Sequence, residues 1–198
     1  GVQLVDTAGR GVEEITARGV VANGKEYEVD CIIFATGFEV GTEFTRRAGY
    51  DVVGKDGVIL SDKWADGMRT LHGIHTNGFP NLFTMSNSQS GFTTNFPHSM
   101  DETAGHIGYI LNRCFSEDIE TVEVTKEAED AWVEEIIAVS RYNEEFLVTC
   151  TPGYYNNEGQ PNPKSIQNGP YGKGSRPYFR ITEAWRDEGN MQGLACDE

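Results

Sequence analysis

Positive charge is scarce in this 198-residue sequence: 16 Lys and Arg stand against 31 Asp and Glu, a formal net charge of −15. A surface that acidic repels phosphate backbones and anionic headgroups, which argues against nucleic acid and membrane surfaces as partners. Long apolar runs are missing as well. None approaches the roughly 20 residues a bilayer-spanning helix needs, so the chain reads as soluble. Cysteine is sparse, with Cys31, Cys114, Cys150 and Cys196 far apart and in no C-x-x-C spacing. That excludes a disulfide scaffold and the common zinc modules, and points to free thiols in the reducing cytoplasm. Gly1-Val2-Gln3-Leu4 has neither a starting Met nor the character of a leader peptide, so the sequence is expected to begin inside a longer chain.

Catalytic signatures are missing too. Gly9-Arg10-Gly11 is followed by Val12-Glu13-Glu14, and Gly169, Gly172 and Gly174 have the wrong spacing, so there is no G-x-G-x-x-G dinucleotide fingerprint. Ser88-Gln89-Ser90-Gly91 lacks the leading glycine of G-x-S-x-G, which leaves no nucleophile elbow. His98, Glu102 and His106 stand four residues apart along a helical stretch. H-E-x-x-H is absent, however, and polar triplets of this kind belong to solvated faces, so no metal is expected.

What is present suffices for a core, with 38% hydrophobic and 11% aromatic residues. Val2-Gln3-Leu4-Val5 alternates, and Gly19-Val20-Val21-Ala22 runs into Asn23-Gly24, the strongest short hairpin signal. The run from Tyr27 to Ala35 becomes continuously apolar in its second half, as in a strand buried on both faces, and stops at Thr36-Gly37. Residues 41–80 are rich in glycine and read as extended connections. Pro80-Asn81-Leu82-Phe83-Thr84-Met85 predicts a short strand that empties into a polar loop over 86–95, a favourable place for a ligand.

Helical spacing predicts a helix over 99–115 that buries Met100, Ala104, Ile107, Leu111 and Cys114. A second helix, capped by Thr125, buries Ala128, Trp132, Ile136, Val139 and Phe146. The tail over 147–198 holds five of the seven prolines and predicts ordered loop ending in a short helix at 182–187. The class is α/β, with a β-rich N-terminal part and two main helices.

Asp30-Cys31-Ile32-Ile33-Phe34-Ala35-Thr36-Gly37 resembles the D-x-x-x-x-A-T-G passage between the NADP and FAD domains of two-dinucleotide flavoprotein monooxygenases. Lys63-Trp64-Ala65-Asp66-Gly67, Arg69-Thr70, Gly73 and Gly78-Phe79-Pro80-Asn81-Leu82-Phe83 follow in the order and spacing of Baeyer-Villiger monooxygenases. Those enzymes insert one oxygen atom of O2 beside a ketone carbonyl. Thr94-Asn95-Phe96-Pro97 is similar to the family's flavin-contacting loop, and Thr125-Lys126-Glu127-Ala128-Glu129 with Trp132 to the helix after it. Asn156, Gly159, Tyr171-Gly172 and Gly189 match its last segment, so the resemblance covers nearly the whole chain.

The resemblance implies the C-terminal part of a longer FAD- and NADPH-dependent, two-dinucleotide-binding-domain flavoprotein that acts on a ketone through a peroxyflavin. Residues 1–40 would close the NADP-binding domain and form the domain junction; residues 41–198 would complete the FAD-binding domain. No catalytic residue is implied here, because both glycine fingerprints and the arginine that stabilises the peroxyflavin fall in the missing N-terminal part of the same enzyme.

Carried over by residue, Ala35, Thr36 and Gly37 would meet the cofactors at the junction, and Thr94, Asn95 and Phe96 would line the isoalloxazine edge. Ser86, Asn87, Ser90, Gly91 and Phe96 would border the ketone pocket. Thr151 stands where several members place a tryptophan in the loop closing over NADP, which leaves Tyr154 and Tyr155 to close it. Ser86-Asn87 replaces the family's glycine-proline pair, which implies a differently shaped pocket. Two other readings stay open: an N-hydroxylating or sulfur-oxidising flavoprotein, and a non-catalytic acidic interaction domain of flavoprotein ancestry.

Overall fold

The computed structural model describes residues 1–37, 42–141, 145 and 166–197. These fall into two compact units, one holding 1–37, Thr42 and Glu145, the other 43–141 and 166–197. The first unit is an antiparallel sheet in the order β1 (Glu14–Ile15), β2 (Gly19–Ala22) and β3 (Lys25–Glu28). The expected hairpin is there: Ala22 pairs with Lys25 across Asn23 (φ 52°) and Gly24 (φ 69°), the two left-handed positions a tight primed turn needs. Two other strand expectations are corrected. Residues 2–5 form no strand, and Val2 and Leu4 are exposed. Beyond Glu28 the chain leaves the sheet, with Ile33 85% and Phe34 71% exposed. A strand buried on both faces needs neighbours for its N–H and C=O groups and helices to cover it, and the described residues of this unit supply neither.

The second unit is the α/β body. After α1 (Phe44–Ala48) and α2 (Leu60–Lys63) in the loop-rich stretch come α3 (Phe96–Ser116), β4 (Thr121–Val124), α4 (Lys126–Val139), α5 (Ser175–Glu188) and β5 (Leu194–Asp197). β4 and β5 pair antiparallel, with Val122 opposite Cys196 and Val124 opposite Leu194. Residues 80–85 do not form the expected strand. Asn81 (φ 58°) instead exchanges backbone and side-chain bonds with β4: its N–H donates to Val122 O (2.9 Å) and its Oδ1 accepts from Val122 N (2.9 Å). One asparagine thus does the pairing that a strand would have done. The tail helix α5 spans 14 residues and is a third main helix rather than a short piece, ending at left-handed Gly189 (φ 71°).

Thr125 caps α4 as expected, its Oγ1 accepting from Ala128 N at 3.3 Å. The buried residues of α4 are Glu129, Trp132, Val133 and Ile136; Ala128 and Val139 pack at the margin, and Phe146 lies outside the described residues. In α3 the buried face is Ser99, Thr103, His106, Ile110 and Cys114. Only Cys114 is shared with the expected stripe, and Leu111 is 37% exposed. The polar face can be buried because it is satisfied: Thr103 Oγ1 donates to Ser99 O at 2.9 Å, and His106 Nε2 lies 3.2 Å from His72 Nδ1.

Val122 and Val124 share one face of β4 and enter two neighbouring clusters. Val124 packs with Leu71, Trp132, Ile136, Tyr171 and Tyr178; Val122 packs with Ile74, Ile110, Cys114, Trp185 and Met191. The His72 ring stands edge-on to both Trp132 (4.9 Å) and Trp185 (5.8 Å), so it joins the two clusters.

Burial holds the three core histidines neutral. It pushes His75 down to about 4 and His72, with His75 beside it, to about 3. Burial, His72 and Arg186 together push His106 to about 2. An unfolded histidine takes its proton near 6.5, so below that pH the unfolded chain binds protons that the folded unit refuses. Stability from this source is complete above about pH 6.5 and falls toward pH 4, by up to about 1.4 kcal/mol per pH unit for each histidine. A His75→Gln variant removes one of the three contributions. Denaturant midpoints measured from pH 7 to 5 are expected to fall more steeply for the parent than for the variant, narrowing the gap between them; parallel curves contradict the assignment.

Candidate functional site

The polar loop over 86–91 is held from within and from below. Ser90 Oγ donates to Ser86 O (2.6 Å) and Ser88 N to Ser86 Oγ (3.2 Å), which closes the loop on itself. At its centre Gln89 is left-handed (φ 57°) and fully buried. Its Oε1 accepts from Thr70 Oγ1 (2.6 Å), its Nε2 donates to Met68 O and to Gln167 O (3.0 Å), and its backbone N donates to Gly169 O (2.8 Å). Its carbonyl accepts from Trp132 Nε1 (3.1 Å), the indole of α4. Gly91 meets α5 so closely that a Cβ there would lie 2.6 Å from Tyr178 Cδ1 and 2.7 Å from Phe179 Cε1. Gln89, Ser90 and Gly91 are therefore buried, while Ser86, Asn87 and Ser88 are half-buried. Asn87 Oδ1 is shut off from solvent without a hydrogen-bond partner among the described residues.

The next turn aims three residues outward. Thr93 N donates to Ser99 Oγ (3.1 Å) and Thr93 Oγ1 to Asn95 O (2.7 Å), which ties the chain to the start of α3. Thr94, Asn95 and Phe96 are exposed, Phe96 by 47%. Asn95 is the N-cap of α3 but makes no side-chain capping bond, and Pro97 follows in the first turn. The positive end of a 21-residue helix dipole therefore begins at these three exposed residues, where it favours a ligand carrying negative charge.

Charge fixes the segment that precedes the loop. Glu129 of α4, 1% exposed, accepts from Asn77 N (2.8 Å) and pairs with Lys63 (3.1 Å) and Arg69 (3.4 Å). Asp130 bonds Arg69 and Lys126, and the Lys126 ammonium above all holds its carboxyl below the usual range. Sequence reasoning missed Gln89, Glu129, His72 and His106 as organising residues. Glu129 alone carried a signal, one turn before Trp132 on the buried side of α4.

The remaining expected residues are placed as follows. Ala35, Thr36 and Gly37 belong to the first unit and are exposed, Gly37 with φ 86°. Tyr154, Tyr155 and Thr151 lie outside the described residues. His98 is exposed, Glu102 half-buried and His106 buried, so the three do not converge. Among the described residues no group of His, Cys, Asp or Glu is placed to hold a metal ion, and no helix is long and apolar enough to cross a membrane.

No protein-family model matches the chain. Pentalenolactone D synthase of Streptomyces exfoliatus is 47% identical over 195 residues, which is 98% of this chain and 33% of that protein. A Baeyer-Villiger monooxygenase of Stachybotrys chlorohalonatus is 38% identical over 197 residues, 99% of this chain and 32% of its own length. Among solved structures, the polycyclic ketone monooxygenase from the thermophilic fungus Thermothelomyces thermophila superimposes with a TM-score of 0.82 at 33% identity, covering 98% of this chain and 32% of that one. The chain thus spans about a third of the length of the relatives it matches. In sequence and in fold it belongs to the Baeyer-Villiger flavoprotein monooxygenases and corresponds to the C-terminal part of those enzymes.

Proposed function

We propose that this chain completes an FAD- and NADPH-dependent monooxygenase that inserts one atom of O2 beside a ketone carbonyl, giving an ester or lactone. Residues 1–40 end the NADP-binding domain and form the junction, with Ala35, Thr36 and Gly37 toward the cofactors. Residues 41–198 belong to the FAD-binding domain. The catalytic residues lie in the N-terminal part of the same enzyme, which is this chain's principal partner. An acidic surface with a net charge of −15 argues against nucleic acid or an anionic membrane as a partner. The cysteines suit a reducing cytoplasm.

The observation that carries the reading is the order of the second unit: a polar loop held rigidly by Gln89, then three exposed residues, then the positive end of α3. Bound FAD, reduced by NADPH, supplies the activation of O2. Thr94, Asn95 and Phe96 would hold the flavin at the start of α3, whose positive end would stabilise negative charge on the reduced cofactor. Phe96 and the outer residues of the loop, Ser86 and Asn87, border the ketone, with Ser90 and Gly91 shaping that border from beneath. Asn87 Oδ1, buried without a partner among the described residues, is an acceptor that a bound donor satisfies.

Two outcomes test this. Full-length protein supplied with FAD and NADPH is expected to turn members of a broad ketone panel into esters or lactones containing one oxygen from labelled O2. N-oxides or sulfoxides without any ester move the protein to the N- or S-oxidising flavoproteins, and no product with any substrate leaves a non-catalytic domain. In the same assay Phe96→Ala is expected to shift the relative kcat/KM of small and bulky ketones by about tenfold, the scale of one or two methylene contacts in a pocket. An unchanged ratio removes Phe96 from the pocket.

A further inference from the structure

Arg186 can only donate hydrogen bonds, and its Nη1 lies 3.4 Å from His106 Nδ1. His106 Nδ1 is therefore the acceptor, and the proton of this neutral ring sits on Nε2. From there it is donated across 3.2 Å to His72 Nδ1. A chain of hydrogen bonds with one direction thus runs from α5 through α3 into the turn over 71–75. The end of the chain is held firmly. His72 is left-handed (φ 52°), its carbonyl accepts from Tyr178 Oη at 2.7 Å, and Trp132 and Trp185 pack edge-on against its ring.

The residue after His72 touches the candidate site. A Cβ on Gly73 would lie 2.8 Å from Ser88 O and 2.9 Å from Ser90 Cβ, so this backbone presses directly against the loop. Gly73 N donates to Thr70 Oγ1 (3.0 Å), and that hydroxyl donates to Gln89 Oε1 (2.6 Å). His106 in turn rides on α3, whose first residue is Phe96. A shift of the His106–His72 pair therefore moves α3, with its exposed start, relative to the loop over 86–91.

We propose that His106 and His72 are positioning residues for the ketone-binding loop, with Arg186 setting the direction of the hydrogen bond between them. The inference rests on the monooxygenase reading above. Neither imidazole touches the reacting atoms; they set the register between the loop and the flavin-facing start of α3.

The test uses the full-length, FAD-loaded enzyme. His106→Phe keeps a ring and removes both hydrogen bonds, whereas His106→Gln can still donate to His72. The Phe variant is expected to raise the ketone KM about tenfold while kcat changes less than about threefold, and to spend more NADPH without ester. The Gln variant is expected to recover most of the ketone KM. Unchanged ketone KM in the Phe variant, or a Gln variant as impaired as Phe, overturns the positioning role. Nitrogen NMR of the parent's imidazoles provides a readout that needs no turnover. His106 is expected to be protonated on Nε2 and His72 to have a bare Nδ1, and a proton on His106 Nδ1 overturns the relay even if no variant folds. A parent that makes no ester refutes the monooxygenase reading, whereas the NMR result stands apart from it.

Discussion

The second unit depends on the burial of one amide side chain. Gln89 accepts hydrogen bonds from Thr70 and Trp132 and donates to the carbonyls of Met68, Gln167 and Gly169, so that segments far apart in the chain meet at a single residue. Each bond adds only about 1 kcal/mol net, but a buried amide left unpaired costs about 1–3 kcal/mol. The arrangement is therefore stable only when complete. Gln89 fixes where the loop sits, and the left-handed backbone at Gln89 leaves Ser86 and Asn87 toward the outside while Ser90 and Gly91 pack inward.

A second constraint is the exclusion of charge from the space between the helices. His72 and His106 are wedged among Trp132, Trp185 and Tyr178; the charged group that faces them is Arg186 from α5, and the neighbouring His75 is neutral like them. From α4, Glu129 turns away to Lys63 and Arg69. The core histidines thus serve as neutral, directional hydrogen-bonding groups that also pack like aromatic rings. This explains why α3 buries a face that hydropathy marks as polar.

Local signals in the sequence were legible and long-range ones were not. Asn23-Gly24 and Thr125 announced a turn and a cap because each acts on residues two to three positions away. The strand expected over 27–35 depended on neighbours that the described residues of its unit do not supply. In α3, Met100, Ala104, Ile107 and Leu111 formed a plausible apolar stripe, yet the buried face was next to it, because the partners of Ser99, Thr103 and His106 cannot be seen from hydrophobic periodicity. Asn81 replaced a strand with its side chain, and nothing in Pro80-Asn81-Leu82 announces that. The stretch over 86–91 is a loop, as its polar composition predicts, whereas the scaffold beneath it, with partners 19 and 78 residues from Gln89, was not legible.

With Gln89 bonded on every side, the loop over 86–91 is a fixed surface rather than a mobile lid. Amide hydrogen exchange of Gln89 in the full-length protein tests it most directly, because its N–H is committed to Gly169 O at 2.8 Å beneath a buried side chain. Exchange slowed by at least about a thousandfold relative to an unstructured peptide is the predicted result, on the scale of core amides. Exchange near the rate of a free loop would contradict it, and with it the idea that Gln89 sets the shape of the site.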